Sequence, residues 1–435
     1  MRLALLLMAF GPGAVLAQSS DLLGVYRDAL SSDPVFSSAR YALEAGREKL
    51  PQARAGLLPS INASANSGYN NVDASQPTAR TYGYNSNGYS LNLSQPLFRW
   101  QNWVAVKQGE LQVRLAESQF ASAQMDLMQR VTQAYFDLLN AQDVLNSVQQ
   151  LRAAANEQLE LSKKSFEVGT VTVTDVNDAQ SRYDIASAQE IAAQNDVNVK
   201  REALRVLTGK EPPVLARLRQ GVTLAAPAPA DAEAWAQAAF TGNVSVASQQ
   251  INREIAARSL ESARAGHLPT IDAVGSVGRN HATNGSSGLP TETRTWMVGV
   301  QATLPLFQGG ATQSKVREAA ALESKAIDDL ENVRRGAGQS ARQAYLGVTS
   351  GIAQVRGYEA AVRSSMSALE SNRLGYEVGV KINKDVLDAQ SQLATTRQQL
   401  AKARYDTLIA QVKLKLAVGT LSERDLEEIN ALLEH

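Results

Sequence analysis

Two stretches of this sequence are near copies: "FEVGTVTVTDVNDAQS" begins at residue 166 and "YEVGVKINKDVLDAQS" at residue 376, 210 residues later. The same step carries "RAGLLPSI" at 54 onto "RAGHLPTI" at 264, and "LRVLTG" at 204 onto "LKLAVG" at 414. A slip of one residue brings "PLF" at 96 onto "PLF" at 305. Correspondence over this span is a tandem duplication, so the fold is two versions of one unit rather than the three domains that length alone suggests.

Proline placement shows what the unit contains. No proline lies between Pro96 and Pro212, and none follows Pro305. A proline inside a helix costs about 3 kcal/mol, so long spans free of it can stay helical. Leu111, Leu115, Ser118, Ser122 and Met125 recur at three- and four-residue steps, as on one helical face. Each half is predicted to hold a shorter helix (19–57 and 231–266), two strands, a very long helix (99–167 and 310–377), an acidic turn (167–175 and 377–385) and a returning helix (175–207 and 385–417). A helix over 99–167 would reach roughly 100 Å and cannot bury its apolar stripe in one compact core. It must lie along other helices.

The strand pairs, about 60–97 and 270–305, define the surroundings. Ile61, Ala63, Ala65 and Tyr69 alternate with Ser60, Asn62, Ser64 and Asn66, while Trp296, Val298 and Val300 alternate with Thr295, Gly299 and Gln301. Such runs match transmembrane β-strands of about 9–11 residues, apolar outside and polar inside. Four strands cannot close a barrel and an open edge is not tolerated in lipid, so closure demands partner copies; three would supply twelve strands. Phe98, Trp100 and Trp103, just past the second strand, suit an aromatic belt at one membrane interface.

Composition narrows the class. Arg2, the apolar run Leu3 to Phe10 and the small residues ending at Ala17 predict a secretory signal peptide over 1–17, which leaves repeats at 18–225 and 226–435. There is no cysteine, and the 43 lysines and arginines balance 43 aspartates and glutamates, which argues against a nucleic-acid binder. His267, His281 and His435 have no paired spacing, so neither a metal site nor a cofactor is expected. With no phosphate-binding loop or nucleophile elbow in view, an enzyme is not expected either. A soluble periplasmic coiled-coil adaptor or scaffold is the alternative, but it leaves the amphipathic strands unexplained.

The duplicated "LP[ST]I" strand starts, the two "PLF" strand ends, the paired "EVG…DV.DAQS" turns and the closing "ARYDTLIAQVKLKLAVGTLSERDLEEINALL" together resemble the TolC family of outer-membrane channels, over essentially all the sequence after residue 17. The resemblance implies a homotrimer in the outer membrane of a Gram-negative bacterium. Its twelve-stranded barrel would continue into a periplasmic helical barrel with a mixed equatorial belt built from 208–230 and the tail after Leu421. It also implies a passive duct for efflux or type I secretion. A periplasmic adaptor and an inner-membrane pump of the RND, ABC or MFS type would recruit it and open its tip.

Carried over by position, Asp175 and Tyr376 match residues that hold neighbouring coils together at the tip, and Asp385 and Asp388 match acidic rings at the entrance. The aspartates of both turns also stand where carboxylates cap helices. Lys381 departs from the family arginine; lysine keeps the charge but loses the planar fork, which predicts a looser grip on a carboxylate.

Overall fold

A computed structural model describes residues 20–75, 80–219, 221–283 and 289–434. The expected signal peptide, parts of both strand loops and His435 lie outside the described residues. The elements run α1 (Leu22–Ser32), α2 (Pro34–Arg47), α3 (Lys49–Ala55), β1 (Ser60–Ala74), β2 (Arg80–Phe98), α4 (Trp100–Glu167) and α5 (Val173–Thr208). The second half repeats the pattern with α6 (Ala232–Gly242), α7 (Val244–Arg264), β3 (Thr270–Ala282), β4 (Thr291–Thr303), α8 (Ala311–Glu377) and α9 (Asn383–Ala417), then adds α10 (Glu423–Asn430).

The proline-free spans are single helices: α4 has 68 residues and α8 has 67. The shorter helices differ from expectation, because 19–57 and 231–266 are each divided. Asp33 is extended (ψ 118°) and its carboxylate accepts the Phe36 N–H at 3.0 Å, capping a new helix that begins with Pro34. Proline suits that first position because its missing N–H would have no helical partner there. Asn243, 210 residues on, is likewise extended (ψ 128°) and accepts the Ser245 N–H at 2.8 Å. Asp21 and Asp231 form a second such pair, accepting from Gly24 at 2.7 Å and from Glu233 at 3.0 Å. The duplication therefore extends to the helix caps.

The chain divides into two compact units. One comprises residues 40–120 and 246–333 and carries the sheet, ordered β1-β2-β3-β4 with every neighbour antiparallel. Its strands have 15, 19, 13 and 13 residues, longer than a bare bilayer crossing needs. Register groups Ile61, Leu93, Gly275 and Val298 in one row and Ala63, Leu91, Val277 and Trp296 in the next, all on one face. The other face carries Asn62, Asn92 and Ser276, with Val274 and Met297 as apolar exceptions. Pairing shifts between Pro96 and Phe98, where a bulge absorbs the proline that could not donate to a regular ladder. Just beyond, Arg99 grips the largely buried Asp272 through two bonds of 2.7 and 2.6 Å.

The other unit comprises the described residues before 40 together with 121–245 and 334–434. It has a core of its own. Tyr135 and Phe136 are fully buried, Phe136 stacks on Tyr405 at 5.5 Å, and the Tyr135 hydroxyl donates to the Ala216 carbonyl at 2.8 Å. Burial drives both tyrosine hydroxyls well above their ordinary pKa, so both stay protonated. The segment after α5 meets the C-terminal tail, with Leu218 bridged to Leu433.

Asp33 also joins Arg130, which reaches it at 2.8 Å and Asp126 at 2.6 Å. Burial pushes the Asp33 carboxyl up, but the Arg130 hydrogen bond and the Phe36 N–H outweigh it and hold the carboxyl below its usual value. A depressed folded pKa stabilises above the unfolded value and is lost as pH falls through the folded one. Asp33→Ala should cost about 3 kcal/mol, and Asp33→Asn, which keeps a capping oxygen, clearly less. Loss of helical circular dichroism on unfolding measures both, and the gap between wild type and Asp33→Asn should shrink at acid pH.

Candidate functional site

The two acidic turns use similar backbones and different chemistry. α4 ends through Gly169 and α8 through Gly379, with φ of 77° and 79°, a left-handed conformation that favours glycine. In the first turn Thr172 caps α5. Its hydroxyl accepts the Asp175 N–H at 3.3 Å, and Asp175 Oδ2 accepts the Thr172 N–H at 2.9 Å and its hydroxyl at 2.7 Å. These bonds, led by the Thr172 hydroxyl, hold the Asp175 carboxyl below its ordinary pKa.

In the second turn the equivalent cap position is Ile382, which has no side-chain oxygen and makes no cap bond. Asp385 therefore has no reciprocal partner at the cap and instead faces Lys381 Nζ at 3.6 Å. That single long contact is what a point charge gives where a guanidinium could grip with two bonds. Lys381 lies over Gly375, where an added Cβ would come within 2.7 Å of Lys381 Cγ. The Gly375 carbonyl accepts the N–H of Val380 at 2.8 Å and of Lys381 at 2.9 Å, fixing the return of the chain.

Asp388 does not cap; it accepts from Arg182 Nη2 of α5 at 2.5 Å. This bridge joins the return helices of the two halves, and sequence reading missed Arg182 because the partners are 206 positions apart. Beneath the turns, buried Asn383 donates to buried Ser162 at 2.9 Å. Tyr376 is half-buried, and no hydrogen bond of its hydroxyl occurs among the described residues. Within one chain, then, Asp175 is engaged by its own turn, Asp385 by Lys381 and Asp388 by Arg182.

In the sheet unit, Phe98, Trp100 and Trp103 are all exposed, and the Trp100 indole N–H donates to Glu261 at 3.2 Å. Leu306 and Phe307, 88% and 87% exposed, lie just past β4. Among the described residues no group of three or more His, Asp or Glu could hold a metal ion, and no helix is long and apolar enough to cross a membrane.

The outer membrane efflux protein family matches the chain twice, over residues 25–210 and 235–420, ranges displaced by the same step as the internal repeat. Outer membrane protein TolC of Vibrio cholerae serotype O1 is 35% identical over 418 residues, covering 96% of this chain and 94% of that protein. Alkaline protease secretion protein AprF of Pseudomonas aeruginosa is 32% identical over 418 residues, covering 94% and 86%. In three dimensions the Campylobacter jejuni CmeC outer membrane channel superposes with a TM-score of 0.81 at 18% identity, covering 96% of this chain and 91% of that one, a likeness of fold.

The unequal caps can be exchanged. Ile382→Thr supplies the missing oxygen at an exposed position and should stabilise the second turn by about 1 kcal/mol, seen as slower amide hydrogen exchange over 382–386. Thr172→Val should do the reverse in the first turn. Because the Asp175 pKa is depressed, the first turn's protection should hold above the ordinary carboxylate range and fall as pH drops through the lowered value.

Proposed function

The chain belongs to the outer membrane efflux protein family, and from that membership we propose how its residues build and gate an export duct. It is an outer membrane channel of the class serving efflux and type I secretion, working with adaptor and inner-membrane partners. The observation that carries the finer reading is the four-stranded sheet, apolar on one face, with β1 and β4 each paired on one side only. Unpaired backbone groups cannot face lipid, each costing several kcal/mol. A homotrimer removes every edge by pairing β4 of one copy with β1 of the next, giving twelve strands around a polar lumen. Phe98, Trp100 and Trp103 then lie at the periplasmic interface.

In the helical unit Asp175, Tyr376 and Lys381 form the gate, and Asp385 with Asp388 contributes six carboxylates around the trimer axis. Arg182 and Lys381 sit beside those carboxylates and offset them while the tip is closed. Opening separates these pairs and unmasks a cation-attracting ring. The duct is passive: an inner-membrane pump supplies the energy, and pump and adaptor select the cargo.

Single-channel recording in planar bilayers tests the gate. Replacing Asp175 and Tyr376 together by Ala and Phe should raise the closed-state conductance severalfold; unchanged conductance refutes their role in closure. Asp385→Ala with Asp388→Ala should move the reversal potential toward non-selectivity, and Arg182→Gln should move it toward cations. Recovery of the protein as a soluble periplasmic monomer would instead support the adaptor alternative.

A further inference from the structure

The lipid-facing side of the sheet changes character in one step. Along β4 the outward residues run Ala302, Val300, Val298 and Trp296, then Arg294 and Glu292. From Ala302 to Trp296 is ~20 Å at ~3.3 Å per residue, most of the apolar band of about 25 Å that a barrel presents to lipid. Register places Tyr89, Arg279 and Arg294 in the next row, and Asn87, His281 and Glu292 in the row after it. This cluster therefore lies at the headgroup level of the leaflet away from the helices.

Its charges are not balanced. Arg279 and Arg294 are direct cross-strand partners, and like charges placed opposite one another repel. One carboxylate serves both: Glu292 accepts from Arg279 Nη2 at 2.5 Å and from Arg294 Nε at 3.1 Å. Three ionised groups thus leave a surplus positive charge, and Arg294, with 76% of its side chain exposed, uses only its Nε toward Glu292 and has no further hydrogen bond among the described residues. The repeat does not supply a second copy, because Tyr69 and Asn85 stand at the corresponding first-half positions.

We propose that Arg279 and Arg294, aligned by Glu292 and flanked by Tyr89, bind the phosphate of a phosphorylated glycolipid in the outer leaflet, one site per chain. Two guanidiniums side by side offer several charge-assisted hydrogen bonds to a phosphate. The Tyr89 ring, 60% exposed beside them, offers a surface for a sugar. The acyl chains continue down the Trp296, Val298 and Val300 face, each of these at least 68% exposed. A soluble anion would gain nothing from that face, which is why the lipid is favoured over free phosphate. The inference rests on the reading of this sheet as a membrane barrel.

The test uses the full-length oligomer extracted in detergent, stripped of lipid and titrated with bisphosphorylated lipid A, with bound lipid counted by native mass spectrometry. Wild type should bind about tenfold more tightly than Arg279→Gln/Arg294→Gln, a ratio worth about 1.4 kcal/mol. Glu292→Gln, which releases both guanidiniums, should bind more tightly than wild type and gives a readout in the opposite direction if the double variant assembles poorly. Lipid A stripped of its phosphates should bind wild type no better than the double variant does. Inorganic phosphate at equal concentration should displace no lipid. Equal binding by wild type and double variant, weaker binding by Glu292→Gln, undiminished binding of the dephosphorylated lipid, or full displacement by inorganic phosphate would each overturn the proposal. Conductance of the same preparations in planar bilayers separates the two levels: a conducting channel without this lipid preference refutes the glycolipid site alone, whereas a wild type that never conducts refutes the channel.

Discussion

Every backbone N–H and C=O inside a bilayer needs a partner from the protein itself. Among the described residues the four-stranded sheet meets that demand along its three antiparallel ladders and leaves the outer sides of β1 and β4 unpaired. Those two rows of unpaired groups make the single chain incomplete in lipid, and closure in the proposed oligomer would remove them. The alternation of side chains suits the same geometry, since a closed sheet would turn one face toward lipid and the other toward an aqueous lumen. The bulge at Pro96 and the Arg99 to Asp272 pair then secure the place where β2 gives way to α4.

The helical unit solves a different problem. Long helices with narrow apolar stripes have little core of their own, so stability is concentrated where other elements join them. Tyr135, Phe136 and Tyr405 fill one such place, and the Asp33 to Arg130 pair fastens the break between α1 and α2. The duplication supplies similar turns at the far ends of both hairpins but gives them unequal chemistry. The first turn closes a capping box between Thr172 and Asp175, whereas the second has no side-chain cap and sets Asp385 against Lys381 through one long contact.

Much of this was legible beforehand because it depends on local period and on proline. The ends of α4, α5, α8 and α9 fall within about two residues of the expected bounds, since turn chemistry at Gly169, Gly379 and the acidic positions is encoded locally. The breaks at Asp33 and Asn243 were also encoded, by a capping residue before Pro34 and its repeat equivalent, but the amphipathic pattern runs through them and concealed them. Partners such as Arg182 and Asp388, or Arg99 and Asp272, are 206 and 173 positions apart, and no local pattern announces them.

The sequence by itself determined a duplicated helix–strand–helix unit, strands with one apolar face, and acidic turns at matched positions, because period, proline and repeat spacing act over a few residues at a time. Only the tertiary structure decided how equivalent residues diverge. Tyr135 and Tyr345 share the same repeated "AY", yet Tyr135 is fully buried and bonds to the Ala216 carbonyl while Tyr345 stays half-exposed. Register likewise set Arg279 against Arg294 and put one glutamate between them. Burial and charge pairing depend on what the rest of the chain brings alongside, and that is fixed by packing rather than by neighbours in sequence.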